Sequence, residues 1–183
     1  ISSSLSTIIF EKDYRVDDAL RDIEGYSHLW LLWHFSQNRK KEWSPCVRPP
    51  RLGGNKRTGV FATRSPFRPN PIGLSCVKLI KKEKTSDGTI LIVSGADMLS
   101  GTPIFDIKPY IKYTDCHIDA VSGFADEHKD YKLKVDFPLE LLEIIQSDKQ
   151  QAIISILEND PRPAYQNDKN RVYGLRYGEY EIK

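Results

Sequence analysis

Apolar residues fall into two textures along this chain. Up to about residue 120 they come in short runs separated by turn signals. Residues 26–35 (YSHLWLLWHF) form a continuous apolar-aromatic run of strand length and predict a buried strand. Residues 58–63 (TGVFAT) predict another, and residues 74–80 a third with Leu74, Cys76 and Ile80 on one face. Asp87-Gly88, between residues 75–82 and 89–93 (TILIV), is a strong hairpin signal. Residues 104–113 read as extended, with Pro109 confining them to an edge or ending the strand. A short helix is expected over residues 17–24 (DDALRDIE), with acids in its first turn and Gly25 as its stop. Many short strands with turns between them predict an antiparallel barrel or sandwich.

After Tyr131 the spacing becomes helical. Leu141, Leu142, Ile144, Ile145, Ile153, Ile154 and Leu157 make two helical blocks, with a break near residues 146–149. The turn DPRPAY (residues 160–165) follows, then two short strands, 172–176 and 180–182, joined around Gly178. The expected organisation is a mainly β domain over residues 1–122, a linker over 123–131 and a small α+β domain over 132–183. No internal repeat is visible.

Composition narrows the class. The chain has 183 residues, 39% of them hydrophobic, enough for a real core. No apolar run approaches the roughly 18 residues of a membrane span. The first residues lack a basic start and an apolar core, so no signal peptide is expected. Three widely spaced cysteines without CxxC spacing argue against a disulfide framework or zinc site and fit a reducing cytoplasm, as small buried or semi-buried side chains. The four histidines show no metal-ligand spacing. His28 and His34 share a face of the first long strand and read as packing residues.

Net charge is only +2, but it is segregated. Residues 43–82 contain no Asp or Glu and nine cations, Arg48, Arg51, Lys56, Arg57, Arg64, Arg68, Lys78, Lys81 and Lys82 among them all. Such a block in turn-rich chain suggests a shaped surface for an anionic ligand, with phosphates of a nucleotide or nucleic acid the obvious candidates. No GxGxxG follows a strand, residues 53–58 (GGNKRT) do not complete a P-loop, and no GxSxG is present.

Three constellations remain. In residues 63–74 (TRSPFRPNPIGL), Pro66, Pro69 and Pro71 stiffen a loop that would hold Arg64 and Arg68 for an anion, and Gly73 suggests an unusual backbone conformation. In residues 94–110, Asp97 and Asp106 could bind hydroxyls, neutralise a cation or remove a proton; alternatively Asp97 caps a turn and Asp106 pairs with an arginine of the basic loop. At the C-terminus, Arg171, Tyr173, Arg176, Tyr177 and Tyr180 interleave basic and aromatic residues as single-stranded RNA platforms do.

GVFATRSPFRPNPIGLS (residues 59–75), with RPPRLGG (48–54) before it and DMLSGTPIFDIKPY (97–110) after it, resembles the TsaA-like family, whose characterised members are TrmO-type tRNA methyltransferases. GYSHLWLLW (25–33) and DPRPAY also match, so the likeness spans nearly the whole chain, with the family's first strand and loop expected upstream of Ile1. The resemblance implies a small antiparallel β-barrel N-terminal domain with an α+β appendage. It further implies S-adenosyl-L-methionine as cofactor, N6 of threonylcarbamoyladenosine at tRNA position 37 as methyl acceptor, and a homodimer with the cofactor near the subunit boundary. No metal and no membrane enter that picture.

Residue by residue, Ser36, Gln37, Arg64, Leu74, Asp97, Met98, Leu99 and Ser100 fall where the family contacts its cofactor. Asp97 and Asp106 are the candidates for a catalytic base. Arg51, Arg57 and Arg68 would hold tRNA phosphates, and Arg162 and Tyr165 would grip the anticodon loop. Ser36 stands where many members have His, and Ser100 where several have Asp. These departures leave room for a non-catalytic RNA-binding adaptor, or for a family member with another substrate.

Overall fold

Alternation along β2 (His28–His34) organises the N-terminal sheet. Leu29, Leu31 and Trp33 are buried, while His28, Trp30, Leu32 and His34 are only half-buried on the other face. The continuous apolar run thus folds as a one-sided strand whose second face is apolar too. The computed structural model describes residues 4–38, 42–49, 56–127, 132–160 and 171–183. Two compact units emerge: Ile1–Lys41 with Asn70–Ile118, and Glu42–Pro69 with Asp119–Lys183.

In the first unit β1 (Leu5–Ile9), β2, β5 (Ile72–Thr85), β6 (Gly88–Ser94) and β7 (Ile104–Pro109) form a five-stranded antiparallel sheet in the order β1-β6-β5-β2-β7. The 14-residue β5 is its spine. Its first half pairs with β2 (Leu74 opposite Leu32) and its second half with β6 (Leu79 opposite Val93). The register shifts between Leu79 and Lys81, as a bulge requires. Leu29, Leu31, Val77, Leu91 and Val93 are fully buried at the centre of the core. Each contributes roughly 1.5–3 kcal/mol of transfer free energy.

Several local expectations are met. The β5–β6 turn at Asp87-Gly88 has Gly88 at φ 114°, a conformation that excludes most side chains. Arg15 clamps this hairpin, donating from Nη1 to Asp87 O at 2.8 Å and from Nε to Phe10 O at 2.6 Å. Pro109 ends β7, which pairs with β2 alone.

Others are corrected. Residues 17–24 form two 3₁₀ turns, Asp17–Leu20 and Ile23–Gly25, because Asp22 takes a left-handed φ of 63° that an α-helix cannot accommodate. Residues 58–63 give only the two-residue β4 (Thr58–Gly59), paired with β3 (Cys46–Val47), before a 3₁₀ turn over Val60–Ala62. Strand β1 carried no clear sequence signal and was not expected. Cys76 and Cys116 are exposed rather than buried, since Cys76 lies on the outer face of β5.

Helix α1 (Lys112–Asp115) closes the first unit; in the second, short helices α2 (Phe124–Glu127) and α3 (Leu139–Leu142) precede α4 (Ser147–Glu158). A break separates α3 from α4 over residues 143–146, slightly before the expected 146–149, and Gln150 Nε2 spans it by donating to Leu142 O and Ile145 O. The hairpin β8 (Leu175–Tyr177) and β9 (Tyr180–Ile182) turns at Gly178, φ 58°.

Candidate functional site

Three loops converge beyond the end of β2. His34 N donates to Pro103 O at 3.0 Å, and Phe35 N to Pro71 O at 2.9 Å. The chain leaving β2 is therefore tied to the residues that enter β7 and β5. Trp33 and Phe35 pack at 4.3 Å between ring centroids, and Phe35, Ala96 and Met98 cover the same core cluster. Met98 thereby anchors its loop, while Asp97, Leu99 and Ser100 on either side of it are exposed. Thr102 closes this loop by donating from N and Oγ1 to Leu99 O, with Gly101 at φ 77°. Ser36 and Gln37 are exposed in the turn after β2, where Ser36 N donates to His34 O at 2.8 Å.

Gly73 lies opposite Trp33 in the ladder. Its φ is not in the left-handed region, so the conformational role expected of it is corrected to one of space. A Cβ there would collide with the Trp33 indole, whose Nε1 donates to Ser75 Oγ at 3.0 Å. Leu74, the next residue, is exposed on the opposite face from Trp33.

The two candidate bases differ. Asp106 is paired with Lys108 at 2.9 Å and accepts from Ile107 N at 2.8 Å. The Lys108 hydrogen bond holds its carboxyl below the usual carboxylate range, opposed by burial and aided further by the Ile107 amide. Its partner is thus its own strand neighbour and not an arginine of the basic loop. Asp97 has no hydrogen-bond or ion-pair partner among the described residues.

The basic loop belongs to the second unit, and it is braced from within. Arg68 Nη1 donates to Val60 O at 3.0 Å and Thr63 O at 2.6 Å. Thr63 Oγ1 donates to Val60 O and accepts from Ser65 N. Arg68, expected to hold phosphate, therefore spends one end of its guanidinium on the loop itself. Arg64 and Arg57 are exposed, and Arg64 has no partner among the described residues. Arg51, Arg162 and Tyr165 lie outside the described residues.

Comparison with known proteins bears on both units. Residues 1–116 match the model of the tRNA-methyltransferase O N-terminal domain, and residues 130–183 that of the TrmO C-terminal domain. The chain belongs to the TrmO family. A tRNA (adenine(37)-N6)-methyltransferase of Escherichia coli (strain K12) is 39% identical over 178 residues, 93% of this chain and 76% of that one. One of Eikenella corrodens is 44% identical over 168 residues, 86% and 89% respectively. A protein of Pyrococcus abyssi, described as a probable S-adenosyl-L-methionine-binding protein, is 38% identical over 139 residues, covering 69% of this chain and 71% of that one. Among solved structures, TrmO from Pseudomonas aeruginosa matches with a TM-score of 0.69 and 31% identity over 96% of this chain and 75% of that chain.

Within the TrmO C-terminal domain, Tyr180 OH accepts from Gln146 N at 3.1 Å, at the start of α4. Lys149 lies over the Tyr180 ring and pairs with Glu179 at 2.7 Å. Tyr180 therefore joins the hairpin to the helix and is not the open platform its sequence context suggested. An apolar groove of about 570 Å³ lies alongside, lined by Leu133, Val135, Phe137, Ile145, Tyr173 and Leu175 among others.

Two functional-looking features escaped sequence reasoning. Asp115 Oδ2 accepts from Trp30 Nε1 at 3.0 Å and from Ile111 N at 2.8 Å, a pairing across 85 residues that no spacing rule reveals. Trp43 and Phe61 form an exposed ring pair inside the basic segment. Their interleaving with cations was the available signal.

Proposed function

We propose that this chain transfers the methyl group of S-adenosyl-L-methionine to N6 of threonylcarbamoyladenosine at position 37 of a tRNA, in the cytoplasm and as a homodimer. The observation that carries the reading is an internally braced, arginine-bearing loop with the family's motif, which leaves Arg64 exposed and unpaired among the described residues. The relatives named above as tRNA (adenine(37)-N6)-methyltransferases support the same reaction.

The residues of the first unit suit the cofactor. Exposed Leu74 and Leu99 offer apolar surface for a purine, Ser36 and Ser100 hydroxyls can bond its ribose, and Asp97 is an available carboxylate for a cationic ligand. Gln37 and Met98 complete this set, and Arg64, on the second unit, is proposed separately as an anion-binding residue. When bound, the cofactor provides an already activated sulfonium methyl, so the chain's task is to position the acceptor and exclude water. N6 of a carbamoylated adenosine is urea-like, and removing its proton aids attack. Asp97 is the better base, because Lys108 weakens Asp106 for that role. Arg57, Arg51 and the free end of Arg68 hold tRNA phosphates, while Arg162 and Tyr165 contact the anticodon loop. In this reading the sheet closes as the family's β-barrel, residues 1–122 carry the cofactor site together with the basic loop, and residues 132–183 add further tRNA contacts.

Arg64→Ala tests the proposal. Methyl transfer to tRNA carrying threonylcarbamoyladenosine should fall roughly 10²-fold or more, with the circular dichroism spectrum unchanged. Normal turnover by that variant would sink the assignment.

A further inference from the structure

Phe61 and Trp43 are large aromatic side chains that the fold leaves in water, 71% and 51% exposed. Their rings stack at 6.5 Å with planes 26° apart, and the Arg68 guanidinium lies 5.5 Å from the Phe61 centroid. The group is rigid from below. Ser44 N donates to Phe67 O at 3.1 Å, Val60 N to Pro45 O at 3.0 Å, and the β3–β4 ladder pairs Cys46 with Gly59 and Val47 with Thr58. These bonds hold the segment carrying Trp43 beside the one carrying Phe61. The two carbonyls accepting from Arg68 fix the cation at the ring.

Exposed aromatics held in place without burial contribute little to stability, so their use is to be sought outside the chain. Their surroundings indicate the ligand. Arg48, Lys56, Arg57 and Arg64 are exposed in the same segment, where no acid occurs between Trp43 and Lys82. A flat π surface set among cations matches a single-stranded nucleic acid, whose bases stack on rings while its phosphates meet arginine. An apolar protein partner would not call for the surrounding positive charge.

We infer that Trp43, Phe61 and Arg68 form a stacking platform for an unpaired base of the substrate RNA. The inference rests on the tRNA reading given above and adds a second base contact apart from Tyr165. It assigns Arg68 the role of fixing the platform, with Arg48 and Arg57 holding the flanking phosphates.

The test uses the full chain and an unmodified anticodon stem-loop RNA with adenosine at position 37. Trp43 is the most exposed of the three tryptophans, so stem-loop binding should quench intrinsic fluorescence, and Trp43→Phe should lose most of that quenching. Trp43→Ala and Phe61→Ala should weaken binding about ten-fold or more without changing the slope of log K against log salt, whereas Phe61→Tyr should bind normally. Arg57→Ala should instead lower that slope by about one. In methyl transfer, Phe61→Ala should raise KM for tRNA and leave kcat unchanged.

If wild type binds the stem-loop and both folded alanine variants bind equally well, the platform is wrong and the tRNA reading stands. If the variants lose affinity for S-adenosylhomocysteine but keep it for RNA, the rings serve the cofactor and the inference falls. A wild-type chain that binds neither this stem-loop nor the same stem-loop carrying threonylcarbamoyladenosine overturns both readings.

Discussion

At Gly73 the side chain that matters is one that is absent. Trp33 fills the space above it, and a single methyl would have to displace an indole that is buried in the core and hydrogen-bonded to Ser75. Overpacking of this kind costs about 1–3 kcal/mol. Gly73→Ala should therefore lower the denaturant midpoint clearly, whereas Gly59→Ala, where nothing lies within 4 Å of the added methyl, should leave it unchanged or slightly raised. Equal effects in the two variants would remove the packing argument. Arg68 shows a related substitution of roles: a residue that reads as a ligand contact is partly consumed by two carbonyls of its own loop. Arg64, four residues earlier, is not. Only the folded loop distinguishes these arginines, because both share the same proline-rich neighbourhood.

Among the elements, the C-terminal hairpin and α4 depend on one another through side chains. Glu179 is held below the usual glutamate range, first by its hydrogen bond to Lys149. A depressed carboxylate contributes stability that is present above its ordinary value and is lost as pH falls through the depressed one. The contact is exposed, so its effect is small and screened by salt. In Lys149→Met, the Glu179 carboxyl followed by carbon-13 NMR should titrate at a higher pH than in wild type. An unmoved titration would show that Lys149 does not hold it. The hairpin, the helix break and the Asp87-Gly88 turn were all readable from sequence, because each rests on local spacing and turn chemistry. The helix expected over residues 17–24 failed for a local reason of the opposite kind, the left-handed Asp22 that divides it into two 3₁₀ turns.

For the molecule as a whole, the outer face of the sheet bears directly on assembly. Ile72, Leu74, Ile80 and Phe105 are exposed on the first unit, beside half-buried Trp30 and Leu32. A sheet face this apolar on both sides of its strands suits a self-complementary contact with a second copy. Sedimentation should accordingly give twice the 21.0 kDa chain mass, and Ile80→Asp should shift the particle to the monomer. A wild-type chain that sediments as a monomer at micromolar concentration would remove this part of the proposal. Outside both units' interiors, the cations of residues 43–82 remain mostly on the surface, where they can act on a long polyanion.

Sequence by itself determined the period of β2 and of the C-terminal helical blocks, the Asp87-Gly88 hairpin turn, the segregation of cations and, through long motifs in order, the TrmO family. These are properties of neighbours along the chain, set by backbone geometry and local side-chain chemistry. Tertiary structure alone decided that Gly73 makes room for Trp33, that Asp115 accepts from Trp30, that Arg68 and Arg64 part company, and that Trp43 stacks on Phe61. Each of these is a contact between residues brought together by folding, and its energy depends on distances that no spacing in the sequence contains.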